Sequence, residues 1–202
     1  MALGLAPMTV NEQATMLSAI DNGGTYHSAH LIQSYQAPGG PVVHGVVTQR
    51  VVLSQSLDSQ VQYAMEATTV DGTGTAASLG GRPIIGKTGT TTSSKSAFFI
   101  GAIPQYSLAV GIFTQSQDPN SPQTLTALGG GGFGGTWPAA IWHTFMSEQF
   151  SNLPVEQFLS PVFTGAKWNQ VGNLPAKKQP RKQQQQQHDH HHKKDGGSQG
   201  SQ

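Results

Sequence analysis

Lys87, Thr88, Gly89, Thr90 and Thr91 stand in a row, between Gly80-Gly81-Arg82-Pro83-Ile84-Ile85-Gly86 and a hydroxyl-rich stretch that leads into Ala97-Phe98-Phe99-Ile100. They place an ammonium, three hydroxyls and one bare backbone position on a single segment among apolar β formers. Side chains alternate across a strand, so Lys87 and Thr88 point to opposite faces. Both reach one groove only if the strand forms a border of its sheet. The cation is also scarce. Residues 1–176 hold five Lys/Arg against eight Asp/Glu, whereas residues 177–202 hold six against two. The body is mildly acidic and the basic excess lies in the tail, which argues against a nucleic-acid-binding body.

Other candidate clusters carry less. His188, His190, His191 and His192 could ligate a transition metal, but they read as part of a solvated low-complexity tail, and no metal site is assigned. Gly129 to Gly135 is followed by no Lys-Ser/Thr, as a phosphate loop would require; it reads as a loop. His27, His30 and His44 have no metal-ligand spacing. His143 and Glu148 are five residues apart, which does not bring them together on a helix face. Asp58 and Glu66 share a helix but not a face, so no carboxylate pair is inferred.

The elements that must position the Lys87 segment are legible. Thr9-Val10-Asn11-Glu12 spells a capping box, and Val10, Ala14, Leu17 and Ile20 follow at helical spacing up to Asn22-Gly23-Gly24. Tyr26 to Tyr35 and Val42 to Leu53 read as two strands joined through Ala37-Pro38-Gly39-Gly40-Pro41. A second helix starts near Ser54 or Ser56 and runs to about Thr69, with Leu57, Val61, Ala64, Met65 and Thr68 as its expected buried face. Three strands follow, at about Pro83 to Thr90, Ser96 to Ile103 and Tyr106 to Thr114. Their short connections imply an antiparallel meander. Trp137 to Met146 reads as a helix with proline in its first turn.

The fold class is therefore α+β. The domain reading is 1–150 as the folded body, 151–176 as a loosely packed extension and 177–202 as a Gln/His/Lys-rich disordered tail. At 202 residues the chain is one domain or part of one. No apolar run approaches the length of a membrane span, and no signal peptide is read at the N-terminus. With no cysteine, disulfides and thiolate metal sites are excluded.

Lys-Thr-Gly is one of three short motifs shared by serine β-lactamases and penicillin-binding proteins. The order of helix, two-strand excursion, helix, Gly72-Thr73-Gly74-Thr75 and then Lys87-Thr88-Gly89 on a strand resembles the C-terminal half of the transpeptidase domain of class A penicillin-binding proteins. Further stretches carry the likeness: Ala2-Leu3-Gly4, Asn22-Gly23-Gly24-Thr25-Tyr26, Asp71 to Ala77, Gly80 to Thr91, and Gly134-Gly135-Thr136-Trp137-Pro138-Ala139-Ala140-Ile141-Trp142. It spans roughly residues 2–150. The Gly-Thr-Gly-Thr-Ala-Ala stretch and the Trp-Pro-Ala-Ala-Ile-Trp helix favour the wall enzyme over a β-lactamase.

The resemblance implies a partial β-lactamase/transpeptidase-like fold, a three-stranded antiparallel meander flanked by helices. It implies that Lys87 faces a serine nucleophile, as the one catalytic residue expected here. Thr88 and Thr90 would bind the carboxylate of a D-alanyl-D-alanine stem peptide or a β-lactam, with the Thr90 N–H in the oxyanion hole and Gly89 making room. The complete enzyme would be a D,D-transpeptidase of the cell envelope, outside the cytoplasmic membrane, with no cofactor. No serine here has lysine three residues on or asparagine two on, so the other two motifs are absent and the chain alone is expected to be inactive. Met1 inside a matching stretch suggests an internal start or a truncated reading frame, with the third strand lacking a neighbour and with either marginal stability or reliance on the missing N-terminal half of the domain as a partner. The alternative is a non-catalytic module that binds stem peptides or a wall partner.

Overall fold

The computed structural model describes residues 7–114, 123–128 and 131–163. Helix α1 runs Val10–Asp21. Its capping box is complete: Glu12 N donates to Thr9 Oγ1 at 3.2 Å and Thr9 N donates to Glu12 Oε2 at 2.7 Å. That backbone hydrogen bond, followed by the Thr9 hydroxyl, holds the Glu12 carboxyl below its ordinary pKa. Past Asn22 the chain reverses through Gly23 at φ 63° and Gly24 at φ 81°. A Cβ on Gly24 would run into the Leu53 carbonyl oxygen.

The excursion that follows is a hairpin broken into two ribbons. Strand β1 (Thr25–His27) pairs antiparallel with β4 (Gln49–Val51), and β2 (Ser34–Gln36) pairs with β3 (Val42–His44). The turn between β2 and β3 is closed by Gly40 N donating to Ala37 O at 2.9 Å.

Helix α2 (Gln55–Val70) is capped by Ser54. Its buried side chains are Asp58, Ser59, Gln62 and Thr69, while Leu57 is 48 % exposed. This corrects the expected apolar face by a fraction of a turn. The cause is hydrogen bonding. Gln62 Nε2 donates to Ile20 O at 2.6 Å and Thr69 Oγ1 to Ile84 O at 2.7 Å, so polar side chains fix the helix against α1 and the sheet.

Strands β5 (Ile85–Thr90), β6 (Ser96–Ile103) and β7 (Tyr106–Phe113) form one antiparallel sheet in the order β5-β6-β7. The central strand buries Ala97, Phe99, Ile100, Ala102 and Ile103. Alternation divides these between two cores. On one face, Ile85, Ile100 and Ala102 pack with Leu17 of α1. On the other, Phe99 and Ile103 pack with Trp142 and Met146 of α3 (Trp137–Phe150). The Phe99 and Trp142 rings meet edge to face at 5.6 Å, and Trp142 Nε1 donates to Gly101 O at 3.2 Å. Residues 151–163 run back over the molecule: Arg82 donates to Leu153 O and Pro154 O, and Phe163 lies edge-on to Tyr63. Trp168 and the 177–202 tail lie outside the described residues. No helix among the described residues is long and apolar enough to cross a membrane.

Candidate functional site

Strand β5 is a border strand. Its register, with Lys87 opposite Ile100 and Thr88 opposite Phe99, assigns the side chains to faces. Lys87 shares the face of the α1 core, and Thr88 and Thr90 share the face that carries Phe99 and α3. Lys87 and Thr90 are exposed, and Thr88 and Gly89 half-buried.

Lys87 Nζ donates to the backbone carbonyl of Thr88 at 2.8 Å, so the ammonium is curled around the open border. In an antiparallel ladder the residues that exchange bonds with the neighbour alternate with those that do not. A Thr88 carbonyl free to meet its own lysine therefore turns the N–H and C=O of Gly86, Thr88 and Thr90 outward.

Two loops flank the border on the threonine side. Thr73 Oγ1 lies 2.7 Å from Thr88 Oγ1. Gly134 N donates to Thr90 Oγ1 at 3.1 Å. A hydroxyl offers one donor and two acceptor positions, so Thr90 still holds its O–H for a ligand, and the Thr73–Thr88 pair retains one. Glycine is required in the second loop by close approach: a Cβ on Gly134 would strike Phe98 O and the Gly89 backbone, and one on Gly135 would strike Thr73 O. The arrangement presents a cation, spare hydroxyl donors and outward N–H groups along one edge. That is a donor set for an anionic, extended ligand. Among the described residues there is no cluster of three or more His, Cys, Asp or Glu side chains that could hold a metal.

The family model for the penicillin-binding protein transpeptidase domain matches residues 1–139. The chain belongs to this transpeptidase-domain family. It is 29 % identical over 165 residues to penicillin-binding protein 1A of Clostridium acetobutylicum, covering 79 % of this chain and 19 % of that protein. It is 29 % identical to penicillin-binding protein 1A of Neisseria gonorrhoeae, covering 72 % of this chain and 18 % of that one. Both names agree with the class A resemblance. Stage V sporulation protein D of Bacillus subtilis is 25 % identical, over 80 % of this chain and 26 % of its own length. Among solved structures, PonA1 of Mycobacterium tuberculosis in complex with penicillin V superposes with a TM-score of 0.62 at 26 % identity, over 76 % of this chain and 41 % of that one. Penicillin-binding protein 1A of Haemophilus influenzae superposes at 0.65 and 22 % identity, over 79 % and 29 %; it shows the fold. The chain spans about a fifth of the length of the first two relatives.

Within this transpeptidase-type fold, the structure brings Lys87, Thr88, Gly89 and Thr90 together on one open edge. His27, His30 and His44 are spread over the ribbons, and His143 is taken up by Ser78 O at 2.7 Å. Thr73 and Gly134 were not singled out as site residues. The signal for both was in the sequence, since each lies in a stretch that carries the family resemblance. What was hidden is that those stretches converge on β5.

Proposed function

We propose that this chain forms the ligand-gripping wall of a peptidoglycan D,D-transpeptidase domain. Its β5 border receives the D-alanyl-D-alanine end of a stem peptide, or a β-lactam in its place; PonA1, whose structure this chain resembles, was solved in complex with penicillin V. The observation that carries this reading is the open border on which Lys87, Thr88 and Thr90 lie, with Thr73 and Gly134 at the two hydroxyls. Thr88 and Thr90 would take the ligand carboxylate by charge-assisted hydrogen bonds, roughly twice as strong as neutral ones. The outward Thr90 N–H would stabilise the oxyanion of the tetrahedral intermediate. Lys87, the catalytic contribution of this chain, would lend positive potential to a serine supplied from outside these 202 residues. The complete enzyme would work on the outer side of the cytoplasmic membrane. There it would form a serine ester with loss of D-alanine, then pass the acyl group to a neighbouring amine. The body is read as 1–150, the extension as 151–176 and the tail as 177–202.

The missing Ser-x-x-Lys favours a second reading, a module that binds stem peptides without reacting. Both readings predict reversible recognition and no covalent adduct from this chain alone. Titrating the ¹⁵N-labelled chain with diacetyl-lysyl-D-alanyl-D-alanine should move the amide signals of Thr88 to Thr90, and a Thr88→Val/Thr90→Val double variant should lose the response. Signals that move only elsewhere, or not at all, would sink the assignment of the border. A band covalently labelled by fluorescent penicillin on a denaturing gel would show that the chain reacts by itself.

A further inference from the structure

Helices α1 and α2 pack together, and three buried oxygens from the end of one and the first half of the other have no donor. Asp58 is 0 % exposed and Gln62 2 % exposed. Asp58 Oδ1, Asp21 Oδ1 and Gln62 Oε1 are each buried and without a hydrogen-bond partner. The Gln62 amide is fixed in direction, because its Nε2 donates both to Ile20 O at 2.6 Å and to Asp58 Oδ2 at 2.8 Å. Turning it over would set its oxygen against two acceptors. Its acceptor end is therefore fixed as well, buried and with nothing to accept. Asp21 adds a third cost: it lies in the last turn of α1, which holds no basic residue, where the helix dipole already disfavours an anion. A buried, unpaired carboxylate is expensive unless a cation or a proton joins it.

We propose that Asp21, Asp58 and Gln62 form a site for a hard divalent cation that ties α1 to α2. The donors are two carboxylate oxygens and one amide oxygen, with no imidazole or thiolate. That set suits Ca²⁺, which accepts irregular oxygen shells, or Mg²⁺ with retained water, and it is poor for softer metals. The half-buried Asp21 leaves one side from which the ion and its remaining waters can enter.

The rival occupant is a proton. Burial, with a smaller contribution from the Asp58 charge, pushes Asp21 up to about 7, and burial pushes Asp58 up to about 6. The other ionisable residues on the elements packed against α1 and α2 are Glu12, Tyr26, Tyr63, Glu66, Lys87 and Tyr106, with His27 at the end of β1; none forms a hydrogen bond or ion pair with either aspartate. Because both folded pKa values lie above the ordinary value near 3.9, the native state binds more protons than the unfolded chain between about pH 4 and 7. The metal-free protein therefore loses stability as pH rises through that window.

The full chain, stripped with EDTA and dialysed, should be melted at pH 7.5 with CaCl₂, with MgCl₂, and with NaCl at matched ionic strength. CaCl₂ binding should also be followed by calorimetry. Softer metals are avoided, since His188 and His190 to His192 offer imidazoles. The expected result is a saturable rise of several degrees in Tm with a divalent ion, together with loss of the decline between pH 5.5 and 8. Asp58→Asn should abolish the rise while melting no lower than the stripped parent, because it removes a buried charge. Asp21→Asn should behave alike. No binding heat and no shift beyond NaCl, or an undiminished shift in Asp58→Asn, would overturn the proposal and leave a shared proton as the occupant.

Discussion

The two borders of the three-stranded sheet are built oppositely. Strand β5 carries Lys87, Thr88 and Thr90, and two loops reach its hydroxyls through Thr73 and Gly134. Strand β7, with the sequence Tyr-Ser-Leu-Ala-Val-Gly-Ile-Phe, has no charge, and among the described residues it pairs with β6 alone. Helix α1 covers one of its faces, where Ser107 Oγ donates to Ala14 O at 3.2 Å. Its Leu108 and Val110 join the α3 core. Both borders offer a row of outward N–H and C=O groups. Only β5 surrounds that row with a lysine and hydroxyl groups; the β7 row is uncharged, the kind of border that another strand can pair with.

The largest test removes what the borders share. Trp142 is fully buried between α3 and β6, and its indole donates to Gly101 O. Trp142→Ala should destabilise the fold by about 3–5 kcal/mol, the range for truncating a buried aromatic. Urea unfolding should show it as a lower midpoint, and amide exchange should quicken in β5 and β7 together. Exchange that quickened at one border alone would mean that the two are not held by a common core.

A second substitution separates the borders. In Gly134→Ala the new methyl meets Phe98 O and the backbone of Gly89, and backbone cannot step aside as a side-chain tip can. The loop must move off β5, and Thr90 Oγ1 loses its donor. Overpacking of this kind costs typically 1–3 kcal/mol. Thr88 to Thr90 amides should exchange faster while those of Leu108 to Ile112 keep their protection. Equal loosening of both strands would show that the 133–136 segment supports the whole sheet rather than the β5 border.

The contrast also marks what could be read in the sequence. Strong local signals survived folding: Thr9 and Glu12 form their capping box, the three sheet strands fall within two residues of their expected ends, and Pro138 opens α3. The four residues of the β5 border were legible because their types and order are unusual. What could not be read depends on partners distant in the chain. Helix α2 shows an apolar stripe at Leu57, Val61 and Ala64, but it turns Gln62 and Thr69 inward because their acceptors, Ile20 O and Ile84 O, lie elsewhere in the chain. On its own helix Asp58 has Glu66 as the other carboxyl, whereas the carboxyl its charge acts on is Asp21, 37 positions earlier. Periodicity reports which face is apolar. It does not report which backbone carbonyls will need a donor.

The smallest effect on stability should come from the outer end of β7. Phe113 is 65 % exposed opposite Ser96, so Phe113→Lys removes little buried area and should shift unfolding by no more than about 0.5 kcal/mol, as surface changes do. Its effect on association should be larger than its effect on folding. A lysine at the end of an otherwise uncharged border adds a charge that an incoming strand must desolvate, a device by which natural sheets discourage edge pairing. At equal concentration, light scattering of the variant should rise later than that of the parent, whereas a lysine at the exposed Val46 of the ribbons should not delay it. If both substitutions delayed scattering alike, association would be following general surface apolarity, and the β7 border would have no special part in it.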